Sequence, residues 1–198
     1  MLVIAMETQA SPPGQLRWTG RRHDDDESDA TSGASAAGLF DAVFHALHDG
    51  EQVALGFDCP LTLPVAPDHS GPDTAGDLAK QAEGRPGIAE LADLLGQLAR
   101  WRPWTTVSTS LSRWKANTSI LVWEAVPAAG SGGVRPAAAA DTFFRRLRAA
   151  EPEEEPAEGT VVNLAAAASR RAGLFVDAPE LACPAVAITV ASDLLETH

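Results

Sequence analysis

A short apolar run that ends in an acid and two prolines constrains this chain more than any other stretch. The run reads Gln52-Val-Ala-Leu-Gly-Phe-Asp-Cys-Pro-Leu-Thr-Leu-Pro64. Consecutive apolar residues over 53–57 predict a strand buried on both faces. Proline lacks the amide hydrogen that a central strand needs, so Pro60 and Pro64 predict that the strand ends near Asp58. Open α/β sheets bind ligands at the carboxyl ends of their strands, so Asp58 marks a candidate site.

Segments with strand and helix periodicity alternate along the chain, which predicts a single α/β domain over residues 1–198 with a central mixed sheet flanked by helices. Strands are predicted at 2–6, 15–19, 52–58, 119–123 and 185–190. Helices are predicted at 36–48, 88–101, 137–150 and 161–172, with a short one at 75–82 inside a long loop. We expect the first two strands to form a hairpin and the first helix to cross over between parallel strands. Residues 110–117 fit neither pattern clearly.

The net charge of the chain is 15 − 27 = −12, which argues against a passive nucleic-acid binder because such a protein needs an electropositive surface. Ten of the acids, however, lie in two blocks without Lys or Arg, at 24–29 and 151–158. The rest of the chain is close to neutral, with 17 acids and 15 bases. The composition therefore predicts mobile acidic loops at 21–34 and 151–158.

Hydropathy and cysteine usage predict a cytoplasmic protein without a membrane span. No window of ~18 apolar residues occurs, and the apolar start at 1–6 is shorter than a signal sequence needs. Two cysteines are too few for a disulfide framework. Cys59 adjoins Asp58, which leaves two interpretations open: a nucleophile, or the small buried apolar residue that free cysteine often is.

Three predicted strands end in acids, at Glu7, Asp58 and Glu124. If these strands are parallel neighbours, the three carboxylates converge at one edge of the sheet. Clustered carboxylates repel one another unless a cation joins them, and hard divalent ions such as Mg²⁺ or Mn²⁺ prefer oxygen ligands. Two such ions can activate water and stabilise the leaving oxygen in phosphodiester cleavage. The alternative is that these acids are turn residues or helix caps.

Aromatic and basic residues interleave between positions 100 and 115, and Arg102, Trp104, Arg113 and Trp114 are the candidate nucleic-acid contacts among them. Aromatic rings next to cations suit the stacking of bases and the pairing of phosphates. The alternative interpretation is that the tryptophans belong to the core and the arginines to the solvated surface.

Three segments resemble an uncharacterised family of predicted nucleases in the ribonuclease H-like superfamily. Gly56-Phe-Asp-Cys-Pro-Leu-Thr-Leu-Pro64 is similar to the family's (I/F)-D-x-P-x-G-L-P segment, although Thr62 replaces a glycine. Val122-Trp-Glu-Ala-Val-Pro127 resembles its V-E-x-x-P strand end, and Val162-Asn-Leu-Ala-Ala-Ala167 resembles its D-A-L-A-A-A helix. The order of elements also matches, which implies a ribonuclease H-like fold for most of residues 1–190.

The resemblance assigns four site positions. Glu7 stands where the superfamily has its first-strand Asp, Asp58 and Glu124 stand at the middle acids, and Asn163 stands at the Asp of the last helix. Glu7, Asp58 and Glu124 would hold the metal ion. The implied activity is that of a metal-dependent nuclease or phosphohydrolase, acting on nucleic acid or a phosphorylated small molecule. Glu7 is a longer side chain and Asn163 lacks the charge, so we expect low activity; the alternative is a catalytically silent binding or scaffold protein.

Overall fold

The computed structural model describes residues 1–10, 15–23, 30–65, 77, 80–82, 85, 87–117, 120–128, 133–149, 161–177 and 184–190. Their strands are β1 Leu2–Ala10, β2 Gln15–Arg22, β3 Thr31–Gly33, β4 Val53–Phe57, β5 Thr62–Pro64, β6 Thr106–Ser108, β7 Ile120–Pro127, β8 Val161–Asn163, β9 Phe175–Val176 and β10 Ala187–Val190. Their main helices are α1 Ala36–His48, α2 Ile88–Trp101, α3 Leu111–Asn117, α4 Pro136–Ala149 and α5 Leu164–Arg171. Residues 80–82 are also helical, within the short helix predicted at 75–82.

A mixed sheet runs through the domain in the order β3-β2-β1-β4-β7-β6-β9, with β10 paired to the C-terminal half of β7. The predicted hairpin of β1 and β2 is confirmed, and β4 lies parallel to β1 on its other side. β7 is the next parallel neighbour, and Phe57 of β4 is level with Glu124 of β7. All five residues of β4 are buried, as the apolar run predicted.

Helices cover both faces of this sheet and enclose two clusters of buried apolar residues. α1, α2 and α5 pack on one face, around side chains such as Ile4, Leu55 and Val122. α3 and α4 pack on the other face, around Trp123 and Phe143. Alternation along each strand sends neighbouring side chains to opposite clusters. The result is the single α/β domain with a mixed central sheet flanked by helices that the sequence predicted.

The first two long helices coincide with the predicted ranges. α1 begins after Ser35, whose hydroxyl accepts a hydrogen bond from the N–H of Gly38 at 3.1 Å. It ends at His48 with Asp49 as its C-cap, and Gly50 takes a left-handed φ of 78° that favours glycine. Local capping signals therefore fixed both ends of this helix.

The strand through Glu124 is longer than predicted. We expected it to end at Glu124, but β7 continues to Pro127. β4 ends at Phe57, level with Glu124, and β10 then pairs with β7 from Glu124 onward. A strand that is distant in sequence therefore supplies the extra partner, and Glu124 lies inside a strand.

The predicted helix at 161–172 begins as a strand. Val161–Asn163 pair antiparallel with Thr62–Pro64, and the helix starts only at Leu164. Two β-branched valines suit a strand better than a helix, and Asn163 has an extended backbone that caps the helix. The alanines that follow correctly predicted a helix, but it starts three residues later than expected.

The first acidic loop is shorter than the predicted range 21–34. Arg21 and Arg22 complete β2, and Thr31–Gly33 form β3 as a third antiparallel strand. Residues 24–29 and 151–158 lie outside the described residues. β3, β6 and β9 have two or three residues each, which is too short for a periodic pattern to predict them.

Residues 110–117, which the pattern left undecided, contain the seven-residue helix α3. Among the helices of the described chain, none has the length and apolar character needed to cross a membrane.

Candidate functional site

Asp58 lies directly after β4 and ties it to β1. Its Oδ1 atom accepts hydrogen bonds from the backbone N–H of Thr8 at 2.8 Å and from the Thr8 hydroxyl at 2.5 Å. Backbone pairing of β1 and β4 reaches Met6 and Phe57, so the Asp58 carboxylate takes over as acceptor one step beyond the last strand pair. Because Thr8 is buried, its N–H depends on this carboxylate.

Glu124 reaches the same turn from the neighbouring strand. It lies between Trp123 and Ala125, which face α4, so alternation places Glu124 on the α2 and α5 side of the sheet. Its Oε2 atom accepts the N–H of Leu61 at 2.9 Å. Burial raises the pKa of Glu124 above its ordinary value, while hydrogen bonds from the backbone of Leu61 and Thr62 oppose that rise. Two carboxylates thus hold the turn at 58–62: that of Asp58, which belongs to the turn, and that of Glu124 on β7.

Cys59 lies between these carboxylates, and its environment decides between the two interpretations of this residue. Burial, together with the charges of Asp58, Glu124 and Glu90, raises the pKa of the Cys59 thiol to about 12. The thiolate is the nucleophilic form of cysteine. Cys59 therefore stays protonated near neutral pH and behaves as a small buried apolar residue.

Glu90 and Gly87 belong to this site, and the sequence patterns did not single them out. The Glu90 carboxylate accepts the N–H of Gly87 at 2.5 Å, at the start of α2. Gly87 has a φ of 85°, and a Cβ atom there would lie 2.5 Å from the Cys59 sulfur and 2.8 Å from the Thr8 hydroxyl. The start of α2 is thus pressed against the turn. A glutamate three residues after a helix-starting residue is the local signal that could have identified Glu90.

Asn163 lies next to this turn, but its side chain forms hydrogen bonds with residues outside the turn. Its backbone pairs with Thr62. Its Oδ1 atom accepts the N–H of Ala166 at 2.9 Å, and its Nδ2 atom donates to the Thr109 hydroxyl at 2.9 Å. The side chain is completely buried. Asn163 therefore caps α5 and links it to the loop after β6.

Glu7 points to the other side of the sheet. It lies on β1 opposite Arg17 of β2. Val3 and Ala5 belong to the cluster beneath α4, and alternation puts Glu7 on their face, whereas Glu124 is on the opposite face. The structure brings Asp58, Glu124 and the backbone of Asn163 together and leaves Glu7 apart from them.

The donor set of the turn suits a hard cation only in part. Asp58 and Glu124 supply carboxylate oxygens, and Mg²⁺ commonly uses one or two carboxylates together with water and substrate phosphate. Within the described ranges, no group of three His, Cys, Asp or Glu side chains is placed to hold a metal ion. Asp58 and Glu124 offer two carboxylates at one turn, whereas the expected set of Glu7, Asp58 and Glu124 is not assembled.

The four candidate nucleic-acid residues fall into two classes. Trp114 is 1% exposed and packs against Phe143 in the core, so it is not available to a ligand. Trp104 is 79% exposed. Arg102 donates to the carbonyl of Leu47 at 2.8 Å, and Arg113 donates to the carbonyl of Asp177 at 2.7 Å. The core interpretation therefore holds for Trp114 but not for Trp104.

The raised pKa of Glu124 predicts a pH-dependent contribution to stability. The stability that its protonated form contributes is fully present below the ordinary pKa of glutamic acid. It is lost as pH rises through the higher pKa of the folded state, because the ionised form must then be buried. Glu124→Gln keeps an oxygen acceptor for Leu61 but does not titrate. We expect the variant to gain stability relative to the parent between pH 4 and pH 8, as measured by urea unfolding at each pH. A constant difference would show that Glu124 does not titrate abnormally.

No protein-family model, curated protein sequence or solved structure matches this chain.

Proposed function

We propose that this protein is a divalent-metal-dependent nuclease or phosphohydrolase of low activity, built on a ribonuclease H-like fold. The observation that carries the proposal is the meeting of Asp58 and Glu124 at one turn, where β4 ends beside its parallel neighbour β7. Open α/β sheets place their ligand sites at the carboxyl ends of neighbouring strands. A carboxylate whose pKa is raised, as that of Glu124 is, marks a candidate functional site in such a position.

The order of elements supports the fold part of this proposal. A strand hairpin, a helix, a strand that ends at an acid, a second acid-bearing strand and an alanine-rich helix follow one another before a final strand. This is the order implied by the resemblance to the predicted nucleases.

Asp58 and Glu124 would hold Mg²⁺ or Mn²⁺ in this proposal. A bound divalent ion would polarise a phosphoryl oxygen and lower the pKa of a water molecule. Thr8 fixes the Asp58 carboxylate through two hydrogen bonds, and Leu61 fixes that of Glu124. Ionising Glu124 is unfavourable because the residue is half-buried, so ion affinity should rise with pH. With two carboxylates and no charge from Asn163, we expect weak binding and slow cleavage.

Titration with Mn²⁺ tests the site. We expect the parent protein to bind Mn²⁺ weakly by calorimetry and to cleave bis-p-nitrophenyl phosphate slowly when the ion is present. Asp58→Asn and Glu124→Gln each keep an oxygen acceptor for the turn and remove one negative charge. Each should abolish binding and cleavage while leaving the fold intact by circular dichroism.

Glu7→Gln is the matched control, since it removes one carboxylate from the opposite face of the sheet. Binding should be unchanged in this variant. If Glu7→Gln weakens Mn²⁺ binding as much as Asp58→Asn does, the ion is not at the turn. If the parent protein binds no Mn²⁺ at millimolar concentration, the metal-dependent reaction is rejected.

A catalytically silent binding or scaffold protein is the second candidate, and a specific observation favours it. Asp58, Glu124 and Asn163 all accept backbone N–H groups, from Thr8, Leu61 and Ala166. The same residues that the resemblance assigns to a metal site thus organise a turn and a helix start. In this case, Asp58→Asn and Glu124→Gln would leave ligand binding unchanged, and the parent protein would not respond to Mn²⁺.

A further inference from the structure

Two large aromatic side chains are strongly exposed in the described part of the chain. Trp104 is 79% exposed and Phe175 is 58% exposed. Each exposed ring leaves apolar area in contact with water, and aromatic residues in such positions commonly mark binding surfaces. Trp104 lies in the turn before β6, and Phe175 is the first residue of β9.

The backbone brings these two rings to one corner of the sheet. The N–H of Thr105 bonds to the carbonyl of Arg102 at 3.1 Å, which closes a turn with Trp104 at its tip. The chain then enters β6, and Thr106 is the direct neighbour of Phe175 on β9. Trp104 therefore lies only two residues from the strand position that adjoins Phe175.

Arg113 approaches the same corner from α3. Val107 belongs to the cluster beneath α2, so alternation puts Thr106 and its neighbour Phe175 on the face covered by α3. Arg113 bonds to the carbonyl of Asp177, two residues beyond Phe175. Arg102 thus belongs to the same turn as Trp104, and Arg113 contacts the chain just beyond Phe175.

The two segments that form this corner carry more bases than acids, in contrast to the chain as a whole. Residues 100–117 contain four bases and no acid, namely Arg100, Arg102, Arg113 and Lys115. Residues 164–177 contain Arg170 and Arg171 and one acid, Asp177. A corner that combines exposed rings with positive charge is complementary to a ligand that offers both flat rings and negative charge.

We propose that Trp104 and Phe175 form a stacking platform for single-stranded nucleic acid, with Arg102 and Arg113 at its phosphates. Unpaired bases stack on aromatic side chains, and cations pair with the backbone between them. A duplex hides the faces of its bases, so it offers the rings nothing to stack on. The second stacking ring is therefore Phe175 and not Trp114, which the sequence pattern suggested but which is buried.

The platform lies away from the carboxylates at the 58–62 turn. β6 pairs with the first residues of β7, and Val107 is level with Ile120. Glu124 is four residues further along β7, or about 13 Å at the rise of a strand. The proposal deepens the proposed function by naming the substrate class, but it uses different residues, so either can fail alone.

Binding of a fluorescein-labelled single-stranded oligonucleotide of about 12 thymidines, followed by anisotropy at low salt without divalent ions, tests the platform. We expect Trp104→Ala and Phe175→Ala each to weaken binding about 5- to 150-fold. Both side chains are exposed, so neither variant should change the melting temperature appreciably. Arg102→Ala should lower the slope of log affinity against log salt by about 0.7, the value for one phosphate contact in a single strand.

Arg17→Ala is the control, because it removes an exposed base from β2 at the other side of the sheet. Its affinity should match that of the parent. The proposal is overturned if the parent does not bind the oligonucleotide at low salt, or if affinity is unchanged in both aromatic variants. It is also overturned if the duplex binds equally well, or if Trp104→Ala alters self-association of the protein instead of oligonucleotide binding. Absence of cleavage with Mn²⁺ would reject only the proposed reaction.

Discussion

Replacing Gly56 with alanine is expected to destabilise the fold by about 3 kcal/mol, near the upper end for overpacked cores. Gly56 lies in the middle of β4, directly beside Trp123 of β7. A Cβ atom at position 56 would lie 2.3 Å from the Trp123 ring. Both residues are buried in the central sheet, so neither can move aside without disturbing its neighbours. Urea unfolding at neutral pH measures the difference in free energy.

Gly96→Ala is a matched control for this substitution. Gly96 lies in α2, where a Cβ atom would meet nothing within 4 Å. Alanine is the better helix former, so this variant should be more stable by about 0.5–1 kcal/mol. If both glycine variants change stability alike, close contact with Trp123 is not the cause.

A double-mutant cycle with Trp123→Phe makes the argument about Gly56 specific. Phenylalanine removes the outer edge of the indole ring that the new methyl group would meet. It also removes a buried indole N–H that finds no acceptor within the described residues. Gly56→Ala should therefore cost at least about 1 kcal/mol less in the Trp123→Phe background. Equal costs in the two backgrounds would show that the strain arises elsewhere.

Replacing Asp58 with alanine is expected to destabilise the protein by about 2–3 kcal/mol. The change removes the acceptor of both the backbone N–H and the hydroxyl of Thr8. Hydrogen bonds to charged groups stabilise more than neutral ones, and a buried donor left without an acceptor adds a penalty. The measurement is again urea unfolding, with the slope checked for two-state behaviour.

Asp58→Asn separates the structural role of this residue from its proposed chemistry. Its amide oxygen can still accept the Thr8 N–H, so the loss of stability should stay below about 1 kcal/mol. Loss of Mn²⁺ binding in the same variant would then report the charge alone. If Asp58→Asn is as unstable as Asp58→Ala, the negative charge itself holds β1 and β4 together at this point.

These two predictions concern neighbouring residues of the motif that runs from Gly56 to Pro64. Gly56 admits the Trp123 ring, and Asp58 extends the pairing of β1 and β4 by one step. The motif therefore has structural reasons for its residues, independent of any reaction. Tests of function at this turn must use substitutions that keep the acceptor oxygens.

Much of the fold could be predicted because local sequence patterns specify its longer strands and helices. The apolar run at 53–57 predicted a strand buried on both faces, and the apolar spacing over 36–48 predicted the first helix. The structure makes β4 and β7 the parallel neighbours that the argument from their acids assumed. The pairing of β10 with Glu124–Pro127 could not be predicted, because the partner lies about sixty residues away and adds no local signal.

The sequence pointed to the two carboxylates of the candidate site but not to the residues around them. Asp58 and Glu124 were found because acids after buried strands stand out in a sequence. Glu90 was missed because its role depends on the packing of α2 against Cys59 and Thr8. The exposure of Phe175 could not be read from two residues of strand.

The sequence by itself determined most of the longer strands and helices, where the first two long helices begin and end, and that acids follow or interrupt the buried strands. These properties arise from the periodicity of side chains and from capping groups a few residues apart. Only the tertiary structure decided which side chains share a face. It placed Glu7 and Glu124 on opposite faces, buried Asn163 and Trp114, and left Trp104 and Phe175 exposed. The physical reason is that facing and burial depend on strand register and on contacts between elements distant in sequence, which no local pattern encodes.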